Sequence, residues 1–183
     1  MDYPDISSLS PELRAILDGK NNANVYKMLM HSPNLAPGFT AMADAVMWAK
    51  TWPATWRELA IVRVGHLYRA PYEVHQHEQI GRLMGLSDEK LEACAVGADQ
   101  AELDGDEQLI LRLTDSLVAN HQLTPAELAE AASLLDANQL ADFVMTVGFY
   151  QLVSNFLNTF EVEIEGHSLF PEPKPNVERG GKA

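Results

Sequence analysis

Glu73 and His77 are four positions apart in the stretch Ala70-Pro71-Tyr72-Glu73-Val74-His75-Gln76-His77. On a helix beginning near Tyr72 that spacing places both on one face, one turn apart. The same face continues through Ile80, Gly81 and Met84, so it is the packed side and His77 is expected to be buried. His75 lies roughly 200° around the helix, on the wet side with Gln79 and Arg82. A buried histidine beside a carboxylate admits two readings. In one, Glu73 accepts a hydrogen bond from His77 and the pair only satisfies two polar groups inside a bundle. In the other, the imidazole is poised as a general acid or base and the carboxyl tunes it.

Glu58 is the third candidate. Thr55-Trp56-Arg57-Glu58 fits a capping box, in which a glutamate at the third helical position bonds back to the cap amide, and that role needs no catalysis. Two glutamates and a histidine are also ligand types for a divalent cation. Only Glu73 and His77 are secured on a common face, so no metal is assigned. A polar stripe of Gln151, Ser154 or Asn155, and Asn158 runs along an otherwise apolar segment, bordered by Tyr150. Such a stripe lines a cavity or makes hydrogen bonds between helices. The single cysteine, Cys94, excludes an intrachain disulfide and reads as a small buried thiol.

These residues must be positioned by helices. Ser10-Pro11 sets a cap with proline at the first helical position, Ser87-Asp88-Glu89 puts acids in a first turn, and Thr124-Pro125-Ala126-Glu127 is a capping box. Apolar residues recur at helical spacing, as in Leu109, Leu113 and Leu117. The β-branched run Ile61-Val62-Arg63-Val64 sits inside a longer helical pattern starting at Thr55. The fold class is therefore all-α. Residues 1–170 read as a single domain. A loop from Gly97 to Gly105 divides a first half ending near 97 from a second at about 106–160, and a flexible tail rich in Pro and Gly follows at 171–183.

With 13 basic and 26 acidic residues among 183, the formal charge is −13, which makes nucleic acid and anionic membrane surfaces poor partners. The start, Met1-Asp2-Tyr3-Pro4-Asp5, has no secretory pattern, so a cytoplasmic location is expected. The apolar stretch from Phe143 to Phe160 is interrupted by Thr146, Gln151, Ser154, Asn155 and Asn158 and reads as a buried helix rather than a membrane span.

Arg57-Glu58-Leu59-Ala60-Ile61-Val62-Arg63-Val64, then Tyr72-Glu73-Val74-His75-Gln76-His77, then Ile80 through Glu89 resemble the carboxymuconolactone decarboxylase superfamily, which includes the alkylhydroperoxidase-D-like proteins. The resemblance spans about 35–100, and Phe143 to Asn158 resembles the closing helix of longer members. It implies an all-α bundle assembled as a homo-oligomer, a dimer, trimer or hexamer. In the peroxidase branch the motif carries a glutamate, two cysteines and a histidine. On this chain the glutamate falls on Glu58, the cysteines on Ala70 and Glu73, and the histidine on His77. Both thiols are missing, and peroxide reduction through a disulfide needs a thiolate and a resolving partner. Thiol peroxidase activity by that route is therefore rejected.

The resemblance to the decarboxylase branch, which works without cysteines or cofactor, implies an acid/base lyase or isomerase acting on a small oxygenated or aromatic-derived acid. In that reading His77 is the acid/base, Glu58 orients it or relays its proton, and Glu73 is a second acid/base or tunes the histidine. Tyr72, Trp56, Tyr150 and Asn155 are the expected substrate-binding residues, with Trp52 as a further apolar wall. Arg57, Arg63 and Arg69 are the nearby anchors for a substrate anion. The alternative is a non-catalytic or ligand-binding oligomer that has lost the redox site. A lesser one is a metal-dependent enzyme using Glu58, Glu73 and His77.

Overall fold

A computed structural model describes residues 1–170 of the chain; the expected tail at 171–183 lies outside the described residues. After a short 3-10 turn at Ile6–Ser8, the chain forms α1 (Pro11–Gly19), α2 (Asn24–Leu29), α3 (Ala36–Trp48), α4 (Ala54–Leu67), α5 (Pro71–Met84), α6 (Asp88–Val96), α7 (Gly105–Asn120), α8 (Pro125–Leu134) and α9 (Ala137–Thr159). No strand occurs among the described residues, as the all-α reading expects.

The architecture is organised around α4. Arg57 through Gly65 are buried without interruption, because Leu59, Ala60, Ile61, Val62 and Val64 present apolar surface all around the helix. Helices α5, α6, α7 and α9 pack around it. One side faces the main core, which includes Ile61, Val64, Phe143 and Tyr150. The other faces a smaller cluster in which Leu59 and Val62 meet Leu91, Cys94 and Leu111. The β-branched run Ile61–Val64 is helical, since burial on every side outweighs its modest intrinsic preference for strand.

Arg63 ties this layer together. It pairs through Nε with Asp115 Oδ1 on α7 at 2.6 Å and through Nη2 with Asp115 Oδ2 at 3.1 Å. Its Nη1 donates to the carbonyl of Cys94 at 2.9 Å, near the end of α6, where carbonyls lack helical donors. Arg63 is thereby committed to structure. Cys94 is fully buried, and burial pushes its thiol up to about 12.

The caps at Ser10, Ser87 and Thr124 form as the sequence suggests. Asp104 with Glu107 and Asp136 with Gln139 add two further capping boxes. The expected box at Thr55–Glu58 does not form. Helix α4 starts two residues earlier than a cap at Thr55 requires, at Ala54 after Pro53, and has no side-chain cap. Glu58 therefore sits inside the helix, released for long-range bonds.

The chain reverses through Tyr68, Arg69 and Ala70 into α5, with Pro71 at the first helical position. Helices α4 and α5 run antiparallel and close together. A Cβ added at Gly65 would lie 3.0 Å from Val74 Cγ2 and 3.3 Å from the Val74 amide, and one added at Gly81 would lie 3.7 Å from Glu58 Cβ. Helix α9 is not buried all round, as the sequence suggested. Phe143, Val147, Tyr150, Val153 and Leu157 face the core, whereas Val144, Met145 and Leu152 are exposed. It is long and apolar enough to cross a membrane by length and composition, yet one side of it builds the core. Its 23 residues pack on a bundle that covers only part of its circumference.

The tight α4–α5 contact sets the first prediction. Gly65→Val should lower stability by about 1–3 kcal/mol through overpacking, read as a lower urea midpoint with an unchanged slope.

Candidate functional site

Antiparallel pairing of α4 and α5 brings Glu58, two helical turns from the glycine contact, opposite His77. His77 Nδ1 lies 2.7 Å from Glu58 Oε2. On the other side of the ring, Nε2 lies 3.1 Å from Glu73 Oε1, an ion-pair contact too oblique to count as a good hydrogen bond. Arg57 closes the row from behind, giving both Nε and Nη2 to Glu58 Oε1 at 2.9 Å. The order is Arg57, Glu58, His77, Glu73, with alternating charge, and all four side chains are buried. Tyr150 from α9 packs edge-on against the imidazole, with ring centroids 4.8 Å apart and an interplanar angle of 82°.

Burial is the largest single influence on His77 and favours the neutral ring, but Glu73 and Glu58 together outweigh it and raise its pKa to about 9. The ring is therefore an imidazolium at neutral pH, donating from Nδ1 to Glu58 and holding its second N–H, on Nε2, beside Glu73. Burial is also the main reason the Tyr150 hydroxyl is pushed well up, with the same two glutamates adding to it.

A cavity of about 560 Å³ opens against the Glu73 end of this row, within the range of small-molecule sites. Arg57, Tyr72, Glu73, Gln76, His77 and Tyr150 line its polar side, and Tyr26, Phe39, Met47 and Phe149 form much of its apolar wall. Glu58 is fully buried behind His77 and does not reach the lining. Tyr72 is in the wall, but its hydroxyl donates to Glu165 Oε1 at 2.8 Å, which leaves its ring as the surface it offers. Tyr150 is in the wall with its hydroxyl 3.3 Å from Met47 Sδ.

Trp56 and Asn155 lie outside the lining. Trp56 faces away from the cavity and packs between the two cores. Asn155 is exposed on α9, because the helical turn that brings Tyr150 and Val153 inward carries position 155 outward. Trp52 is buried against Phe143, ring centroids 5.7 Å apart, and is likewise not in the lining. Of the polar stripe on α9, Asn158 donates to the Tyr68 carbonyl at 2.8 Å and so serves the helix interface. Arg69 is exposed at positive φ and Arg63 is spent on Asp115, so of the three arginine anchors Arg57 alone borders the cavity. Two residues that shape this wall were not foreseen from the sequence, Gln76 in the lining and Glu165 behind it. Gln76 belongs to the Tyr72, Glu73, His77 face by helical spacing, whereas its partner Glu165 comes from an irregular segment after α9.

Both imidazole nitrogens face carboxylates, so Glu58 and Glu73 flank the ring rather than converge with it on a common point. Among the described residues no group of three or more His, Cys, Asp or Glu side chains is arranged to hold a metal ion.

Residues 33–116, which contain the whole row, match the sequence model of the carboxymuconolactone decarboxylase family. That segment, 84 of the 183 residues, is similar to members of that family. Solved structures extend the fold likeness beyond the matched segment. A peroxidase-related protein from Ralstonia eutropha JMP134 with an alkylhydroperoxidase AhpD core superposes with a TM-score of 0.79 at 21% identity, covering 91% of this chain and 92% of its own. A peroxidase-related protein from Silicibacter sp. TM1040 gives 0.79 at 17% identity, with 91% of each chain covered. A cysteine-to-alanine variant of the debrominase Bmp8, in complex with 2,3,4-tribromopyrrole, gives 0.74 at 14% identity with 90% of each covered. These superpositions establish a common fold, and fold does not carry activity with it. No curated protein sequence matches the chain. The carboxymuconolactone decarboxylase family segment supplies α4 and α5, and with them the acid and histidine frame.

The raised His77 pKa has a defined sign. With a folded value of about 9 against 6.5 for a free ring, its stabilisation is complete below about pH 6.5 and is lost as pH rises through 9. An NMR titration should show the His77 imidazole protonated through neutrality, and Glu58→Gln should move its midpoint down by at least about one unit.

Proposed function

We propose that the cavity is the active site of a cofactor-independent acid/base enzyme, a decarboxylase-like lyase or an isomerase, acting on a small oxygenated or aromatic-derived acid. The observation that carries this reading is the unbroken Glu58–His77–Glu73 row ending at the cavity wall. A buried imidazolium behind a carboxyl is a proton reserve at neutral pH. Glu73 meets the substrate, His77 supplies or withdraws the proton behind it, and Glu58, held by Arg57, keeps the ring charged and oriented. In a decarboxylation, loss of CO₂ leaves the bonding pair on carbon, and that carbon takes one proton from the Glu73–His77 pair, later restored from solvent. In an isomerisation the same pair removes a proton from one carbon and returns it to another.

Arg57 is the cavity's buried cation for a substrate anion. Ala70 and Glu73 stand where the peroxidase frame carries thiols, so the likeness to peroxidase-related structures brings no thiol route with it. The tribromopyrrole bound by the debrominase neighbour is consistent with a ring-sized occupant for this cavity. Self-association is part of the same reading: Val144, Met145 and Leu152 form an exposed apolar stripe on α9 suited to a second copy.

The alternative is a ligand-binding protein without turnover, and one experiment separates the two. A panel of lactone acids, keto acids and hydroxylated aromatic acids is incubated with the protein in D₂O, and CO₂ release and carbon-bound deuterium are followed by NMR. His77→Gln and Glu73→Gln should each lower turnover by about 10²–10⁴-fold while retaining far-UV helicity. Turnover that is unchanged in both variants would remove the row from the mechanism, and binding without any turnover across the panel would favour the alternative.

A further inference from the structure

After α9 the chain returns across α5 as an irregular strap, anchored by the buried Val162 and by Asn24, whose side chain donates to the Glu163 carbonyl at 2.9 Å. The strap delivers Glu165. Its carboxylate accepts from the Tyr72 hydroxyl at 2.8 Å and the Asn24 amide at 2.6 Å through Oε1, and from Gln76 Nε2 at 2.5 Å through Oε2. A carboxylate only accepts, so it fixes which end of the Gln76 amide faces it. The NH₂ group must point to Glu165, and the carbonyl Oε1 is turned away. That oxygen is buried with no donor, and the residue around it, 7% exposed, is part of the cavity wall. One helical turn back, Glu73 Oε1 is also buried with no well-aligned donor. Tyr72 and His77, the wall's other polar residues on this helix face, have their donors directed elsewhere, the Tyr72 O–H to Glu165 and the ring nitrogens of His77 to Glu58 and Glu73. The α5 wall therefore presents acceptors and withholds donors, and a buried acceptor left unpaired is a cost that a ligand can relieve.

We propose that the cavity selects ligands carrying a hydrogen-bond donor, a hydroxyl or an N–H, on an otherwise apolar ring-sized body. The donor pairs with Gln76 Oε1 and Glu73, and Glu165 is the positioning residue that imposes this preference by holding the Gln76 amide. The inference rests on the cavity being the substrate site and narrows its substrate to hydroxylated or N–H-bearing acids. Selection of this kind is strong, because a site built to pair with a donor loses the analogue that lacks it.

The test is calorimetric and needs no turnover. Two matched pairs are titrated into the full chain: 4-hydroxybenzoate against 4-methoxybenzoate, and indole-5-carboxylate against 1-methylindole-5-carboxylate. At least one pair should bind about tenfold tighter in its donor-bearing form, and the pair that does so identifies the donor as O–H or N–H. Gln76→Met, similar in size and without an acceptor of comparable strength, should erase that ratio. Glu165→Gln, whose amide can accept or donate and so lets Gln76 turn over, should reduce it at least threefold. His77→Gln should keep the ratio while losing turnover, so the ligand preference and the acid/base reading can fail separately. Equal affinities within both pairs, tighter binding of the methylated forms, no binding of any of the four, or a ratio that persists in Gln76→Met would overturn the proposal.

Discussion

Four ionisable side chains buried in one row are the constraint on which the rest of the structure depends. Arg57, Glu58, His77 and Glu73 are each no more than 7% exposed, and none would be tolerated there alone, because an unpaired buried charge is strongly destabilising. Alternation of sign makes the row acceptable, and alternation requires close approach of α4 and α5. Gly65 provides it, since a Cβ there would press on Val74 of α5, whereas Gly81 makes room for Leu86 and Leu91. Packing and electrostatics are thus solved by the same two-helix pairing. The rest of the bundle, with Arg63 binding α4 to α6 and α7, holds that pairing in place.

Within the row, Glu58 is the member closed off from the cavity, while Arg57, His77 and Glu73 border it. Tyr150, edge-on to the imidazole, excludes water from one side of the ring and keeps the local environment one in which charge interactions are strong. Glu165 acts on the adjacent wall by orienting Tyr72 and Gln76. The polar character of the cavity is therefore determined by groups that mostly face away from it.

Likeness of fold and likeness of chemistry separate in this chain. Residues 33–116 carry the carboxymuconolactone decarboxylase pattern, and structures related in fold include peroxidase-related proteins and a debrominase. What is shared with those structures is the helical fold; in this chain it sets Glu58 on one helix against His77 on the next. In this chain Ala70 and Glu73 offer no thiol nucleophile, and Glu73 adds a carboxyl on the cavity side of the imidazole.

Local information in the sequence was enough for the all-α class, for the caps at Ser10, Ser87 and Thr124, and for Glu73 and His77 sharing a packed face, because each of these depends on neighbours within a turn or two. The same local reasoning misplaced Glu58 as a cap, since a capping box and a mid-helix acid differ here by only two residues of helix start. It also placed Trp56 and Asn155 at a substrate wall from which helix rotation excludes them. Only the tertiary structure decided that Glu58 meets His77 across 19 positions, that Arg57 rather than Arg63 or Arg69 borders the cavity, and that Glu165 reaches Gln76 from 89 positions away. Such contacts are chosen by how whole helices pack to bury apolar surface and neutralise charge together, and no short-range pattern of residue types encodes that choice.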